Sequence, residues 1–345
     1  MKVDAVKLET FTREVLAKVG VPDADAAIVS ECLVHANLSG VDTHGVVRLP
    51  HYIRRLKNGT IRCEAKPTIT HHTSSFAVVD GDDGLGHTVM YQACRWGAET
   101  AKKHGTAAIA VKNSSHFGMT GYYISKLAEM DLASMAVTTS DAFQIPFGAR
   151  KPFWGTNPIA IGFPTNDIPL ILDMATTSIP YGKIVLAQKA GESIPEEWGY
   201  DDQGKPTTDP DKIVGLHPIA GPKGSGLAMV IDIFCNMFTA LPFGPHINKM
   251  YGEMNEKRQL GHFLTVWDPG VISDVGEFKA RMDAMIREYH ELAPAGGFTE
   301  VLFPGELEGK RRRERRESGV PLEAGVLQDL VELGESLGIL FPKDE

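Results

Sequence analysis

Several common signatures are missing from this chain, and each absence removes a class of function. No G-x-G-x-x-G turn follows a strand and no G-x-x-x-x-G-K-[ST] loop occurs. Neither an ordinary Rossmann dinucleotide unit nor a nucleoside triphosphatase is therefore supported. Cysteine is scarce: Cys32, Cys63, Cys94 and Cys235 lie far apart, with no C-x-x-C pair. That argues against a cysteine zinc ribbon or a disulfide framework, and makes reduced thiols in the cytoplasm the expectation. A basic excess is also lacking, since 35 Lys and Arg against 44 Asp and Glu give a net charge of −9. Nucleic acid and anionic membrane are thus poor partners. The longest apolar stretch, Gly226 to Phe243, carries Asp232 and Asn236 and contains Pro242. It reads as a buried helix rather than a membrane span. The charged start, MKVDAVKLETF, does not resemble a signal peptide.

What is present is an ordinary globular composition, 43% hydrophobic and 23% charged over 345 residues, with core enough for two domains. Apolar spacing predicts a helix over Val3 to Val21 and a second one capped by Asp23 and ending near Ser39. Pro50 and Gly59 bracket a short third helix. From about Ser75 strands alternate with helices. Predicted strands are SFAVVDG, Thr106 to Asn113, Ala133 to Ser140, Pro158 to Thr165, Pro169 to Thr176 and HFLTVWDPG. This is an α/β pattern with a mixed sheet and helices packed against it. Ala190 to Leu216 reads as loop, and Asp274 to Leu292 and about Leu322 to Leu337 as helices. The run KRRRERR, Lys310 to Arg316, reads as a solvated, i,i+4-paired helix face.

The stretch around which the chain is organised is Asn113 to Asp141. It places His116 just past one strand and Asp141 at the end of the next, where α/β folds hold ligands. An imidazole titrates near neutrality, so His116 suits a general acid/base, with Asp141 as the carboxylate that orients it. A backbone-bonded loop histidine is the alternative, since lone His and Asp residues are common. His44, Arg48 and Tyr52 fall at i, i+4, i+8, which suits capture of a small hydroxy or keto acid: a planar guanidinium grips a carboxylate and a phenol adds a neutral donor. GPKGSG, Gly221 to Gly226, precedes a helix and could receive a phosphate, with Lys223 adding charge. LDMATT, Leu172 to Thr177, is uninformative alone.

Taken together, the stretches SGVDTHGVVRLPHYIRRLKNG, KNSSHFGMTGYYISKLAEMDL, TTSDAFQIPFGARKPFWGTNPIAIGFPT, ILDMATTSIPYGK, AGPKGSGLAMVIDI, KMYG and FPGE resemble the type-2 malate/L-lactate dehydrogenases. They run in order along nearly the whole chain. LHPIAGPKGSGL, LPFGPHINKMYG and RQLGHF are nearest to the branch acting on ureidoglycolate, whereas the His116 loop, SHFGMTGYY, is closer to malate-type members. The resemblance implies a non-Rossmann fold: a helical domain from both chain ends (1–74 plus 308–345) and a mixed-sheet cofactor-binding domain (75–307). It implies an NAD-linked enzyme, with NADP the alternative, acting on a small 2-hydroxy or 2-keto acid as a homodimer without a metal. By this resemblance His116 is the acid/base and His44 competes for that role. Arg48 and Tyr52 match substrate-side positions. Ser140, Asp173, Met174, Ala175, Lys223, Gly224, Gly305, Glu306 and Leu307 match cofactor-contacting positions.

Other classes fare worse on the same residues. A hydrolase using Ser115 or Ser140 with His116 and Asp141 lacks a G-x-S-x-G elbow between strand and helix, and Ser115 adjoins His116 too closely for a triad. A metal enzyme built on His71 and His72 meets the problem that neighbouring strand residues point to opposite faces. A non-catalytic dimeric binding protein on the same scaffold is the third alternative.

Overall fold

In the computed structural model, residues 1–252 and 254–342 are described, apart from the side chain of Lys189; residues 343–345 of the expected C-terminal segment lie outside them. The N-terminal helices are α1 (Ala5–Lys18), α2 (Asp23–Leu38) and α3 (Leu49–Lys57). Asp4 caps α1 through hydrogen bonds from the Val6 and Lys7 amides, both 3.0 Å. Pro22 rather than Asp23 stands at the cap of α2; the Asp23 carboxylate is taken by Arg13 instead. Pro50 sits in the first turn of α3, where no amide hydrogen bond is lost.

A seven-stranded sheet follows, comprising β1 (Thr68–His71), β2 (Phe76–Asp80), β3 (Thr106–Ser114), β4 (Ala133–Thr138), β5 (Ile159–Phe163), β6 (Leu170–Met174) and β7 (Leu260–Trp267). Their spatial order is β1-β2-β3-β7-β4-β5-β6. Only β2 and β3 pair in parallel; every other neighbouring pair is antiparallel. The sheet is therefore mixed and not a doubly wound parallel one. Helices α4 (Gly86–His104) and α5 (Thr120–Ala128) pack on one face, burying Val89, Met90, Ala93, Tyr122, Ile124 and Leu127 against Ile109, Val111 and Leu264. Gly97 of α4 faces Val266 and Ile109, where an added Cβ would come to 3.0 and 3.1 Å.

The later helices are α6 (Gly182–Ala190), α7 (Pro222–Asp232), α8 (Val275–His290), α9 (Glu306–Ser318) and α10 (Ala324–Leu337). The apolar segment after Gly226 is not one continuous α-helix: α7 passes into a π-turn over Ile233–Met237. The loop expected over 190–216 contains a two-residue ladder, Gly199–Tyr200 with Gly215–Leu216. The N-terminal strand meets a late segment: Lys2–Val3 pairs antiparallel with Val320–Pro321. A separate apolar cluster there joins Leu8, Phe11, Val15, Leu33, Leu49 and Ile53 to Val320, Leu330 and Phe341. Helix α9 is not simply a solvated charged face: Arg315 reaches Asp42 at 2.9 Å and the Asn37 carbonyl, and Arg312 reaches Ser39 at 3.3 Å. No described helix is long and apolar enough to cross a membrane.

Candidate active site

Register decides what meets at the sheet edge. Strand β3 ends at Ser114, which pairs with Leu260 at the start of β7, and Thr138 at the end of β4 pairs with His262. His116, Arg258 and Asp141 each lie within three residues of these strand ends, on one edge, in that spatial order. The N–H of Gly118 donates to His116 Nδ1 at 3.2 Å, and the Tyr52 hydroxyl meets the same atom at 2.6 Å. A nitrogen that receives an N–H is an acceptor, which assigns the proton of the neutral ring to Nε2. The His44 ring stacks on His116 with centroids 5.6 Å apart and planes 25° apart.

Asp141 does not orient His116 in this structure. Its Oδ1 accepts a hydrogen bond from Arg258 Nη2 at 3.0 Å, and Tyr52 occupies the position expected of the carboxylate. The reason is topological. The expectation rests on β3 and β4 being neighbours, but β7 inserts between them and carries Arg258 into the gap. Tyr52, expected on the substrate side, turns its hydroxyl to His116.

Arg48 precedes α3 in a short 3-10 turn, so its meeting with His44 is made by the loop and not by helical periodicity. Its Nε donates to the Thr43 carbonyl at 2.6 Å, and Thr43 Oγ1 lies 2.9 Å from His44 Nδ1. The guanidinium also bonds the Tyr251 hydroxyl and lies 5.8 Å from the centre of that ring. Buried Arg55 fixes the segment bearing Tyr251, donating to the carbonyls of Lys249, Met250 and Glu256 at 3.1, 2.8 and 2.9 Å.

The electrostatics are uniformly hostile to added positive charge. Burial holds His116 well below its ordinary value, with His44 and Arg48 adding to the effect. Burial and then Arg48 bring His44 down to about 4. Burial raises Tyr52, so the phenol stays neutral. His87 packs edge-on against Tyr52 at 5.0 Å, brought to about 3 by burial, with neither ring nitrogen bonded.

The positions expected to touch a cofactor form three groups. The Asp173 Oδ2 accepts from the Gly121 amide at 2.7 Å at the start of α5, and crowding lifts its pKa to about 6 although the side chain borders solvent. Met174 and Ala175 follow it. Gly305 adopts φ +88° and lies against Ile171 of β6, where a Cβ would meet the backbone at 2.9 Å. Glu306 is turned inward: it bonds His290 at 2.8 Å, the Phe303 amide at 3.1 Å and Lys310 at 3.0 Å, while Leu307 stays exposed. Ser140 is held by Asn157, whose Oδ1 accepts the Ser140 amide at 3.2 Å and whose Nδ2 donates to Ala228 of α7 at 3.0 Å. Lys223 and Gly224 open α7; a Cβ on Gly224 would strike the Ile219 carbonyl at 2.3 Å.

The family model for malate/L-lactate dehydrogenase matches residues 3–331. The chain belongs to that family. It is an oxidoreductase of the CH–OH group. It is similar to L-sulfolactate dehydrogenase of Methanocaldococcus jannaschii, 37% identical over 94% of each chain. It is also similar to ureidoglycolate dehydrogenase (NAD(+)) of Escherichia coli K12, 31% identical over 96% of this chain and 95% of the other. Its fold superposes on malate dehydrogenase from Entamoeba histolytica with a TM-score of 0.94 over 99% of both chains, at 30% identity. The only G-x-S-x-G string, Gly334–Gly338, falls in the end of α10 and not at a strand–helix turn. Among the described residues no three His, Cys, Asp or Glu side chains converge as for a metal.

Sequence reasoning missed Arg258, Tyr251, His87 and Asn157. None carries a local signal; RQLGHF and KMYG stood out only as family stretches, because their roles arise from pairings across the chain.

Proposed function

We propose that this dehydrogenase oxidises a small 2-hydroxy acid with NAD, NADP being the alternative, and that ureidoglycolate is the substrate. The observation that carries the reading is the cluster of His116, Tyr52, His44 and Arg48 at one sheet edge. The ureidoglycolate assignment draws on the similarity to the E. coli enzyme of that name. Malate, L-lactate and sulfolactate are the alternatives.

The chain has a fit place for a dinucleotide. The first turn of α7 would bring Lys223 and the positive end of the helix to a pyrophosphate, while its Lys223, Gly224 and Ser225 amides bond the carbonyls of Ala220, Ile219 and Gly221. Ser140, Asp173 to Ala175 and Gly305 to Leu307 would complete the cradle. When bound, the nicotinamide supplies the hydride acceptor.

Arg48 receives the substrate carboxylate, which fixes C2 and its hydroxyl beside His116. With Nδ1 engaged by Tyr52, Nε2 is the atom that exchanges the hydroxyl proton. For Nε2 to accept it, Nδ1 must carry the ring hydrogen, so the Gly118 amide gives up its 3.2 Å bond to Nδ1 and the Tyr52 hydroxyl turns from donor to acceptor. Tyr52 is neutral, so it orients the imidazole without holding it protonated. The substrate carboxylate offsets the Arg48 charge that depresses His116. Its arrival therefore raises the proton affinity of the base when the hydroxyl is in place.

A division into a helical unit (1–74 plus 308–345) and a sheet unit (75–307) draws support from the apolar cluster that joins the N-terminal helices to Val320, Leu330 and Phe341. All four cysteines are unpaired, which suits the cytoplasm. Exposed Met229, Val230, Ile233, Met237 and Phe238 on α7 and its π-turn form an apolar face suited to a second copy of the chain, so the working unit is a homodimer.

Nicotinamide absorbance with ureidoglycolate, malate, L-lactate and sulfolactate, each with NAD and NADP, tests the reading. Replacing His116 by Ala lowers kcat about 10²- to 10⁴-fold while cofactor binding survives. An unchanged kcat moves the proton to His44, and inertness toward the whole panel rejects the reading.

A further inference from the structure

We infer that Asp141 selects the group that the substrate carries on C2, favouring a tail with N–H donors over a second anion. The inference rests on the 2-hydroxy acid reading above and names the residue that narrows its substrate class.

The pair formed by Asp141 and Arg258 is asymmetric. The Arg258 side chain is 3% exposed and the Asp141 side chain 29% exposed, with 3.0 Å between Nη2 and Oδ1. The cation stands behind and the carboxylate stands in front. Both belong to the edge that carries His116, because β7 starts between β3 and β4. Arg258 is near enough for its charge to bear on His116, Tyr52 and His51. An acid gripped by Arg48, with its hydroxyl toward His116 and its C2 hydrogen leaving as hydride, has one further substituent on C2. The Asp141 side of the edge remains for it.

A carboxylate accepts hydrogen bonds and has none to donate. A ureido or amide tail offers N–H groups to it. A carboxylate or sulfonate tail offers only more lone pairs and a like charge, and like charges brought together are disfavoured. The buried guanidinium keeps Asp141 in place through the bond from Nη2 to Oδ1.

Two measurements test this. The first compares kcat/KM for ureidoglycolate and malate in the wild type and in Asp141→Asn, which keeps the shape, removes the charge and adds an N–H₂ donor. We expect the ureidoglycolate-to-malate ratio to fall about tenfold or more, the difference between a charged and a neutral hydrogen bond. Asp141→Ser should shift it in the same direction. The second needs no variant: oxamate and oxalate are nearly isosteric, one ending in an amide and the other in a second carboxylate. Oxamate should inhibit the wild type at lower concentration. A ratio that stays put while both activities fall together makes Asp141 a general support and overturns the inference, as does tighter inhibition by oxalate. A wild type that prefers malate or sulfolactate also overturns it, while leaving the dehydrogenase reading standing. Failure to turn over any 2-hydroxy acid rejects that reading itself and takes this inference with it.

Discussion

His116 works against its surroundings. With burial, His44 and Arg48 all disfavouring the imidazolium, the free enzyme keeps a neutral base well below pH 6.5. The sign follows: a depressed pKa moves the acid limb of kcat/KM to lower pH, and loss of a nearby cation moves it back up. Replacing Arg48 by Gln should therefore shift that limb toward neutrality as well as raise KM. A pH–rate profile with the same limb in both proteins would separate Arg48 from His116. Tyr52 offers a second check. Its hydroxyl lies 2.6 Å from Nδ1, so Tyr52→Phe should lower kcat about 10- to 100-fold with KM for the acid little changed. A rise in KM alone would return Tyr52 to the substrate.

At the scale of elements, helix α9 and the His44 loop act as one piece. Arg315 spans from the helix to Asp42 Oδ1, which also accepts from Asn37 Nδ2 at 2.7 Å, while Asn37 Oδ1 accepts the Val46 amide at 2.8 Å. The loop carrying His44 and Arg48 is thus pinned on both sides. Because the Asp42 side is half exposed to water, the loss on Arg315→Ala is small, about 1 kcal/mol. Thermal denaturation should show a Tm lower by about 2–4 °C, together with a several-fold loss of kcat/KM. An unaffected kcat/KM would show that the loop holds its shape without α9. The charge run that reads as a solvated face is therefore half a strut, a distinction carried by contacts about 270 residues apart in sequence.

For the whole molecule, Val3 near the start pairs with Val320 before α10, and the apolar face of α7 is left on the outside. Five large apolar side chains along one helix are more than a solitary soluble surface ordinarily shows. Light scattering should return the mass of two chains, and Ile233→Asp should shift it toward one. A wild-type monomer at micromolar concentration would remove the dimer from the account.

Much of this was legible in the order of residues. Strand periodicity set β3, β4, β5 and β6 within about two residues at each end, because alternation and apolar runs are local properties. The same local logic put His116 just beyond a strand end, and the ordered family stretches pointed to the chemistry. The partner of each side chain was not legible. Asp141 meets Arg258 because β7 from late in the chain threads between two strands that follow one another in sequence, and Tyr52 on α3 meets His116 across 64 residues of sequence. Strand insertion is a choice among long-range pairings whose energies no short window contains, so only the folded chain decides which charge stands beside the base.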